Sequence, residues 1–120
     1  MKLNHLAITT ADVEALGAFY AQLMGLSELS RHHDEQGLRS IWLQLDVGIL
    51  MVERGPPHQE GGWRLPAFHI PSSERGTWRS RLEALGAGPV EQTGFTLYGR
   101  DPDGNRVAFS CYPEPAPEPL

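Results

Sequence analysis

The chain has 120 residues and a formal net charge of −5, with 40% hydrophobic and 21% charged residues. This composition is typical of one compact domain or of two small modules that share a core. No basic stripe marks a nucleic-acid surface and no apolar run approaches the roughly 20 residues that span a bilayer, so nucleic acid and membrane are not expected partners.

The chain has a single cysteine, Cys111, which bears on its expected cellular location. It excludes an intrachain disulfide, and the N-terminus lacks the apolar core of a signal peptide. Both features favour a cytoplasmic location.

The first half of the chain predicts a strand, a helix and three further strands. Alternation indicates a strand over residues 3–9, with His5 on the face opposite Leu6 and Ile8. Helical spacing of apolar residues predicts a helix over residues 13–24, which Thr10 or Asp12 can cap. The further strands are predicted at 27–33, 38–45 and 49–53.

Two adjacent histidines, His32 and His33, fall at the end of the second strand. Residues 32–37 resemble a solvated hairpin turn. Neighbouring strand residues point to opposite faces, so this pair cannot easily bind one ion.

The same order of elements returns after a Gly- and Pro-rich linker at residues 55–63. A strand over 65–71 carries His69, and Ser72 or Ser73 can cap a helix over about 74–85. Short strands are predicted near residue 90 and at 95–100. The repeat of about 60 residues predicts two βαβββ modules, and hence an α+β fold.

A hairpin closes the second module. Asp101-Pro102-Asp103-Gly104 is turn chemistry, after which Val107, Phe109 and Cys111 alternate with Arg106, Ala108 and Ser110. Cys111 is therefore predicted to be a core thiol. The predicted boundaries are residues 1–54 for the first module, 55–63 for the linker, 64–113 for the second module and 114–120 for a disordered tail.

The segments NHLAITTADVEALGAFYAQLMGL and FTLYGRDPDGNRVAFSCYP resemble the vicinal oxygen chelate superfamily, also called the glyoxalase, bleomycin resistance and dioxygenase superfamily. The resemblance implies two βαβββ modules that form an open, barrel-like cleft. Members of this family include metal-dependent isomerases, lyases and oxygenases, and also metal-free proteins that bind drugs.

The resemblance also implies a metal site with ligands from the first and fourth strands of each module. His5 matches the first ligand position and His69 the third, and the two occupy matching places in the repeat. Met51 stands near the usual second ligand, with Glu53 two residues further on, and Ala108 replaces the Glu of the fourth. One divalent ion (Zn, Ni, Mn or Fe) held by His5, His69 and Glu53, with Glu53 also as catalytic base, is one hypothesis. In the other, the histidines are structural and no metal binds.

The resemblance leads to two functional hypotheses. The first is a metal-dependent enzyme acting on a small oxygenated molecule, and the alternative is a metal-free small-molecule or drug-binding protein. A homodimer is expected in either case. The predicted substrate-binding residues are Trp42, Gln44, Tyr98, Arg100 and Arg106; the two arginines would either pair with an anion or be surface charges.

Overall fold

The computed structural model describes residues 1–56 and 64–117 and divides the chain into two units, residues 1–59 and 60–120. The first unit contains β1 (His5–Thr10), α1 (Val13–Met24), β2 (Glu28–Asp34), β3 (Gly37–Gln44) and β4 (Ile49–Arg54). The second contains β5 (Ala67–His69), α2 (Arg75–Ala84), β6 (Glu91–Gln92), β7 (Thr96–Arg100) and β8 (Arg106–Ser110). The predicted α+β fold of two βαβββ modules is confirmed.

Both sheets have the same strand order. The first sheet runs β1-β4-β3-β2 and the second β5-β8-β7-β6, with the first and last strand of each module parallel and the other pairs antiparallel. The repeat seen in the sequence is therefore a repeat of topology.

Helix α1 covers one face of the first sheet. Four residues of its apolar stripe are buried, namely Val13, Leu16, Tyr20 and Leu23, while Phe19 is half-buried. At its start, the Asp12 carboxylate accepts a hydrogen bond from the Ala15 N–H, and at its end Gly25 has φ of 66°. Both ends follow the prediction, because Asp12 satisfies a free N–H of the first turn and glycine tolerates a left-handed backbone.

Helix α2 begins differently from the prediction. A single 3-10 turn, Ser72–Glu74, precedes it, and no side chain caps the backbone at Glu74. The expectation of a Ser72 or Ser73 cap on this helix is wrong, because the chain enters the helix through this turn. Leu82 is fully buried, and Trp78 stacks on Phe109 with ring centroids 4.6 Å apart.

The hairpin between β7 and β8 has the predicted turn chemistry. Asp101 Oδ1 accepts hydrogen bonds from the N–H groups of Asp103 and Asn105, and Oδ2 accepts one from the Asn105 side chain. Gly104 has φ of 83°. Cys111, 2% exposed, donates its thiol to the Phe95 carbonyl, as expected of a core cysteine.

The hairpin between β2 and β3 is shorter than predicted. Only Glu35 and Gln36 form the turn, so His32 and His33 both lie in β2. His32 is not a solvated turn residue: its ring centroid lies 4.3 Å from that of Trp42, and its Nε2 is 2.9 Å from Ser30 Oγ.

The segments predicted as linker and tail are described only in part. Residues 57–63 and 118–120 lie outside the described residues, whereas Pro56 is tied to β1 through the Thr9 hydroxyl. At the start of the tail, the Ala116 N–H donates to Gly94 and Glu114 accepts a hydrogen bond from Ser72. Within the described part of the chain, no helix is long and apolar enough to cross a bilayer.

Candidate functional site

The face of each sheet that points away from its helix carries the chemistry. On the first sheet, Ala7, Met51 and Trp42 lie directly opposite one another across three strands and form what we call the first apolar row. On the second sheet, Ala67, Ala108 and Tyr98 form the second apolar row in the same way. Each row combines an aromatic ring with small or flexible apolar side chains.

A second row on each sheet face, two residues away along each strand, consists of side chains that can form hydrogen bonds. The first polar row consists of Thr9, Glu53 and Ser40. The second polar row consists of His69, Ser110 and Thr96, in which the Thr96 hydroxyl donates to the Ser110 hydroxyl at 2.8 Å. Corresponding rows of the two modules thus have matching character.

The two predicted histidine ligands do not occupy corresponding rows. His5 lies opposite Ile49, two residues before Ala7 of the first apolar row. His69 lies two residues after Ala67 and belongs to the second polar row. The residue of the second module that corresponds to His5 is Leu65, so the apparent match of the histidines in the repeat is wrong.

This arrangement does not fit the divalent ion implied by the resemblance. Where the resemblance expects carboxylates, the apolar rows carry Met51 and Ala108. Two residues before Ala67, where a histidine would correspond to His5, the chain has Leu65. A thioether, a methyl group and an isobutyl group offer no oxygen or nitrogen donor to a hard or borderline cation. Within residues 1–56 and 64–117, no three His, Cys, Asp or Glu side chains gather in a group that could hold a metal.

Two buried polar atoms on the first sheet have no hydrogen-bond partner in the described part of the chain. Ser40 is 0% exposed, and among the described residues neither its hydroxyl nor the buried indole N–H of Trp42 makes a hydrogen bond. The sequence pointed to Trp42 but missed Ser40, which differs from Trp42 by two positions and therefore shares its face.

Two of the predicted substrate-binding residues are engaged with their own turns. Gln44 is exposed and donates its amide to the carbonyls of Leu45 and Gly48, at 2.9 and 3.2 Å. Arg100 is also exposed, and donates to the Gly104 carbonyl at 2.8 Å. These contacts stabilise hairpin ends.

Arg106 and Tyr98 come together on the second sheet. The Arg106 guanidinium carbon lies 4.8 Å from the centroid of the Tyr98 ring, and the same guanidinium pairs with Glu91 at 3.1 Å. Arg106 therefore reaches a free anion only in competition with Glu91, while it holds the Tyr98 ring in place beside Ala108.

The carboxyl groups with lowered pKa values lie at ion pairs of the first module. Hydrogen bonding from Arg31 lowers the pKa of Glu14 and ties α1 to β2. The pKa of Asp34 is lowered first by the Gln36 N–H and then by Arg54, which ties the β2–β3 turn to β4. These ion pairs connect elements of the first module, whose sheet carries the first apolar row and the first polar row.

Solved structures with the same fold include fosfomycin resistance proteins. The protein FosX from Listeria monocytogenes, at pH 6.5, has 22% sequence identity and a TM-score of 0.77, over 91% of this chain and 89% of that chain. FosX from Mesorhizobium loti has 15% identity and a TM-score of 0.79, over 92% and 90%. Lactoylglutathione lyase from Agrobacterium tumefaciens has 21% identity and a TM-score of 0.72, over 91% and 92%. No curated protein sequence matches the chain.

A match to a protein-family model shows the family to which the chain belongs. The model of the Glyoxalase/Bleomycin resistance protein/Dioxygenase superfamily matches residues 2–109, which include the described helices and strands from β1 to Phe109 of β8. The resemblance found in the sequence is thereby confirmed, and the chain belongs to the Glyoxalase/Bleomycin resistance protein/Dioxygenase superfamily.

Proposed function

We propose that this protein binds a small organic molecule on a sheet face that carries an apolar row and a polar row, without a catalytic divalent ion. The observation that carries the proposal is the absence of donor atoms at three ligand positions. Met51, Ala108 and Leu65 stand where the metal-dependent pattern needs carboxylates and an imidazole.

The apolar rows suit a ligand that is partly aromatic or apolar. Trp42 lies opposite Met51 and Tyr98 lies opposite Ala108, so each module presents one aromatic ring at the same place. Binding sites for small molecules combine such surfaces with a few fixed polar groups. The polar row of each sheet supplies those groups.

A metal-dependent enzyme remains the second candidate. FosX from Listeria monocytogenes has been crystallised with Mn(II) and a dihydroxypropylphosphonic acid, and it shares this fold at 19% identity. On that hypothesis His5, His69 and Glu53 would hold the ion, with Glu53 also as base. The register of β5 against β8 weighs against it, because His69 and His5 do not stand in corresponding rows.

The experiment is a thermal-shift screen of small molecules, with fosfomycin among them, run with and without a chelator. We expect ligands that raise the melting temperature equally in both conditions and are recovered chemically unchanged. Trp42→Phe should weaken their effect, whereas Val47→Ala, at an exposed apolar residue of the β3–β4 turn, should not. Stabilisation that disappears with the chelator, or a chemically altered ligand, would favour the metal-dependent enzyme.

Two broader expectations belong to the proposal. Relatives of two-module architecture commonly pair, which supports a homodimer. A single buried, free cysteine suits the reducing cytoplasm.

A further inference from the structure

The unpartnered atoms of the first sheet identify the chemistry of a ligand. Ser40 is 0% exposed, and among the described residues its Oγ and the buried Nε1 of Trp42 make no hydrogen bond. Leaving a buried donor unpaired is unfavourable, and folded proteins seldom tolerate it without a reason. The two groups lie two residues apart on one strand face, so an acceptor atom would satisfy both once neighbouring side chains make room for it.

The surroundings hold these groups in position. Ser40 lies between His32 of β2 and Glu53 of β4, and it pairs directly with both. The Trp42 ring leans diagonally across the strands onto the His32 ring, with centroids 4.3 Å apart, and His32 is itself held by Ser30. The indole is thereby held on the strand face that also carries the Ser40 hydroxyl.

Glu53 sets the charge of the site. It is half-buried, and among the described residues its carboxylate makes no hydrogen bond and no ion pair. A carboxylate accepts hydrogen bonds and repels other anions, and the chain as a whole has a net charge of −5. The ligand group beside Ser40 must therefore offer an N–H or a positive charge to Glu53 and cannot be an anion.

We propose that Ser40, Trp42 and Glu53 form a subsite for a neutral carboxamide-type group, that is, a carbonyl oxygen next to an N–H. The indole N–H, which can only donate, and the hydroxyl donate to the carbonyl oxygen, while Glu53 accepts from the N–H. The planar amide lies against Met51 and the Trp42 ring of the first apolar row. This inference rests on the proposed function and names the ligand class of that face.

The test compares two probes of nearly equal shape, nicotinamide and nicotinate, by calorimetry and by the indole N–H resonances in the presence of a chelator. We expect nicotinamide to bind at least roughly tenfold more tightly than nicotinate and to shift the resonance that Trp42→Phe removes. Glu53→Gln should reduce the preference for nicotinamide over nicotinate, because residue 53 would no longer repel the nicotinate anion. The matched control Glu35→Gln, in the exposed turn between β2 and β3, should leave the preference unchanged.

A second variant separates a binding role from a structural one. Ser40→Ala should weaken nicotinamide binding and should raise the melting temperature of the free protein, because it removes an unpaired buried hydroxyl. Ser80→Ala, at an exposed position of α2, should change neither. A lower melting temperature for Ser40→Ala would show that the hydroxyl is already satisfied, and would overturn the inference.

The remaining outcomes also decide. Equal or tighter binding of nicotinate, or no binding of nicotinamide at millimolar concentration, would overturn the carboxamide subsite and leave metal-free binding as such intact. Binding of either probe only after Mn(II) is added would instead contradict the proposed function.

Discussion

His69 lies opposite Ser110 on the parallel ladder of β5 and β8, one row away from Ala108, which lies opposite Ala67. His69 therefore lies two residues after its apolar row, whereas His5 lies two residues before the apolar row of the first module. Leu65 takes the place in the second module that His5 takes in the first. The second module therefore lacks metal-binding side chains at two ligand positions, Leu65 and Ala108.

This register predicts how a metal site could be rebuilt. We expect the double variant Leu65→His, Ala108→Glu to bind Zn(II) at least tenfold more tightly than Ala108→Glu alone, or by about 1.4 kcal/mol. The reason is that the pair would supply an imidazole and a carboxylate with the spacing that His5 has from Met51. Calorimetric titration measures both affinities.

The control for the double variant is His69. Adding His69→Ala should leave its Zn(II) affinity unchanged. If Ala108→Glu by itself gained tenfold and lost that gain with His69→Ala, the histidine would be the partner of position 108 and the assignment of rows would be wrong.

A second prediction concerns the seam between α1 and β3. A Cβ on Gly17 would lie 2.9 Å from Cδ1 and 3.5 Å from Cβ of Ile41, a 2% exposed residue whose side chain would have to shift within the core. Gly17→Ala should therefore lower the free energy of unfolding by about 1–2 kcal/mol through overpacking, despite the better helix propensity of alanine. Urea denaturation measures the change.

The matched substitution is Gly76→Ala in α2. Beyond the local helix backbone, no atom of the described residues lies within 4 Å of its added Cβ, so we expect no loss and a gain of up to about 1 kcal/mol. Equal effects of the two substitutions would show that α1 does not pack tightly on β3.

A third prediction concerns the last hairpin. Asp101 is 5% exposed and accepts from two backbone N–H groups and from the Asn105 amide. Asp101→Ala should cost about 2–3 kcal/mol because these donors lose their acceptor. Asp103→Ala, at an exposed position of the same turn, should stay within about 0.5 kcal/mol. The free energies of unfolding of the two variants test this prediction. An equally small loss for both would show that the Asp101 carboxylate does not stabilise the turn.

The sequence was informative where the determinants are local. The capped helix from Val13 to Met24 and the Asp101 turn depend on residues close in the chain, and both were predicted correctly. Alternation also assigned Trp42 and Tyr98 to the faces away from the helices.

Alternation reveals the face of a strand but not its register against a distant strand. For that reason the sequence could not show that His69 lies beside Ser110 and not beside Ala108. The sequence also could not show that the Ser40 hydroxyl is unpaired. Its burial accompanies the diagonal packing of Trp42 on His32, and this packing brings together residues of two strands.

A fourth prediction is the homodimer. Apolar residues beside or within edge strands are exposed, among them Leu29 of β2 at 50% and Val90 before β6 at 55%. Burial of such residues against a second copy would stabilise the edges. Light scattering should give about 27 kDa, twice the chain mass of 13.3 kDa, and a mass near that of one chain at micromolar concentration would refute pairing.

The most direct test of metal-free binding is a calorimetric titration of Zn(II), Ni(II) and Mn(II) into the wild-type protein. Because Met51, Ala108 and Leu65 provide no donors, we expect no saturable binding at micromolar concentrations, and no difference between wild type, His5→Ala and His69→Ala. One ion bound per chain at submicromolar affinity, and lost in both histidine variants, would contradict the account.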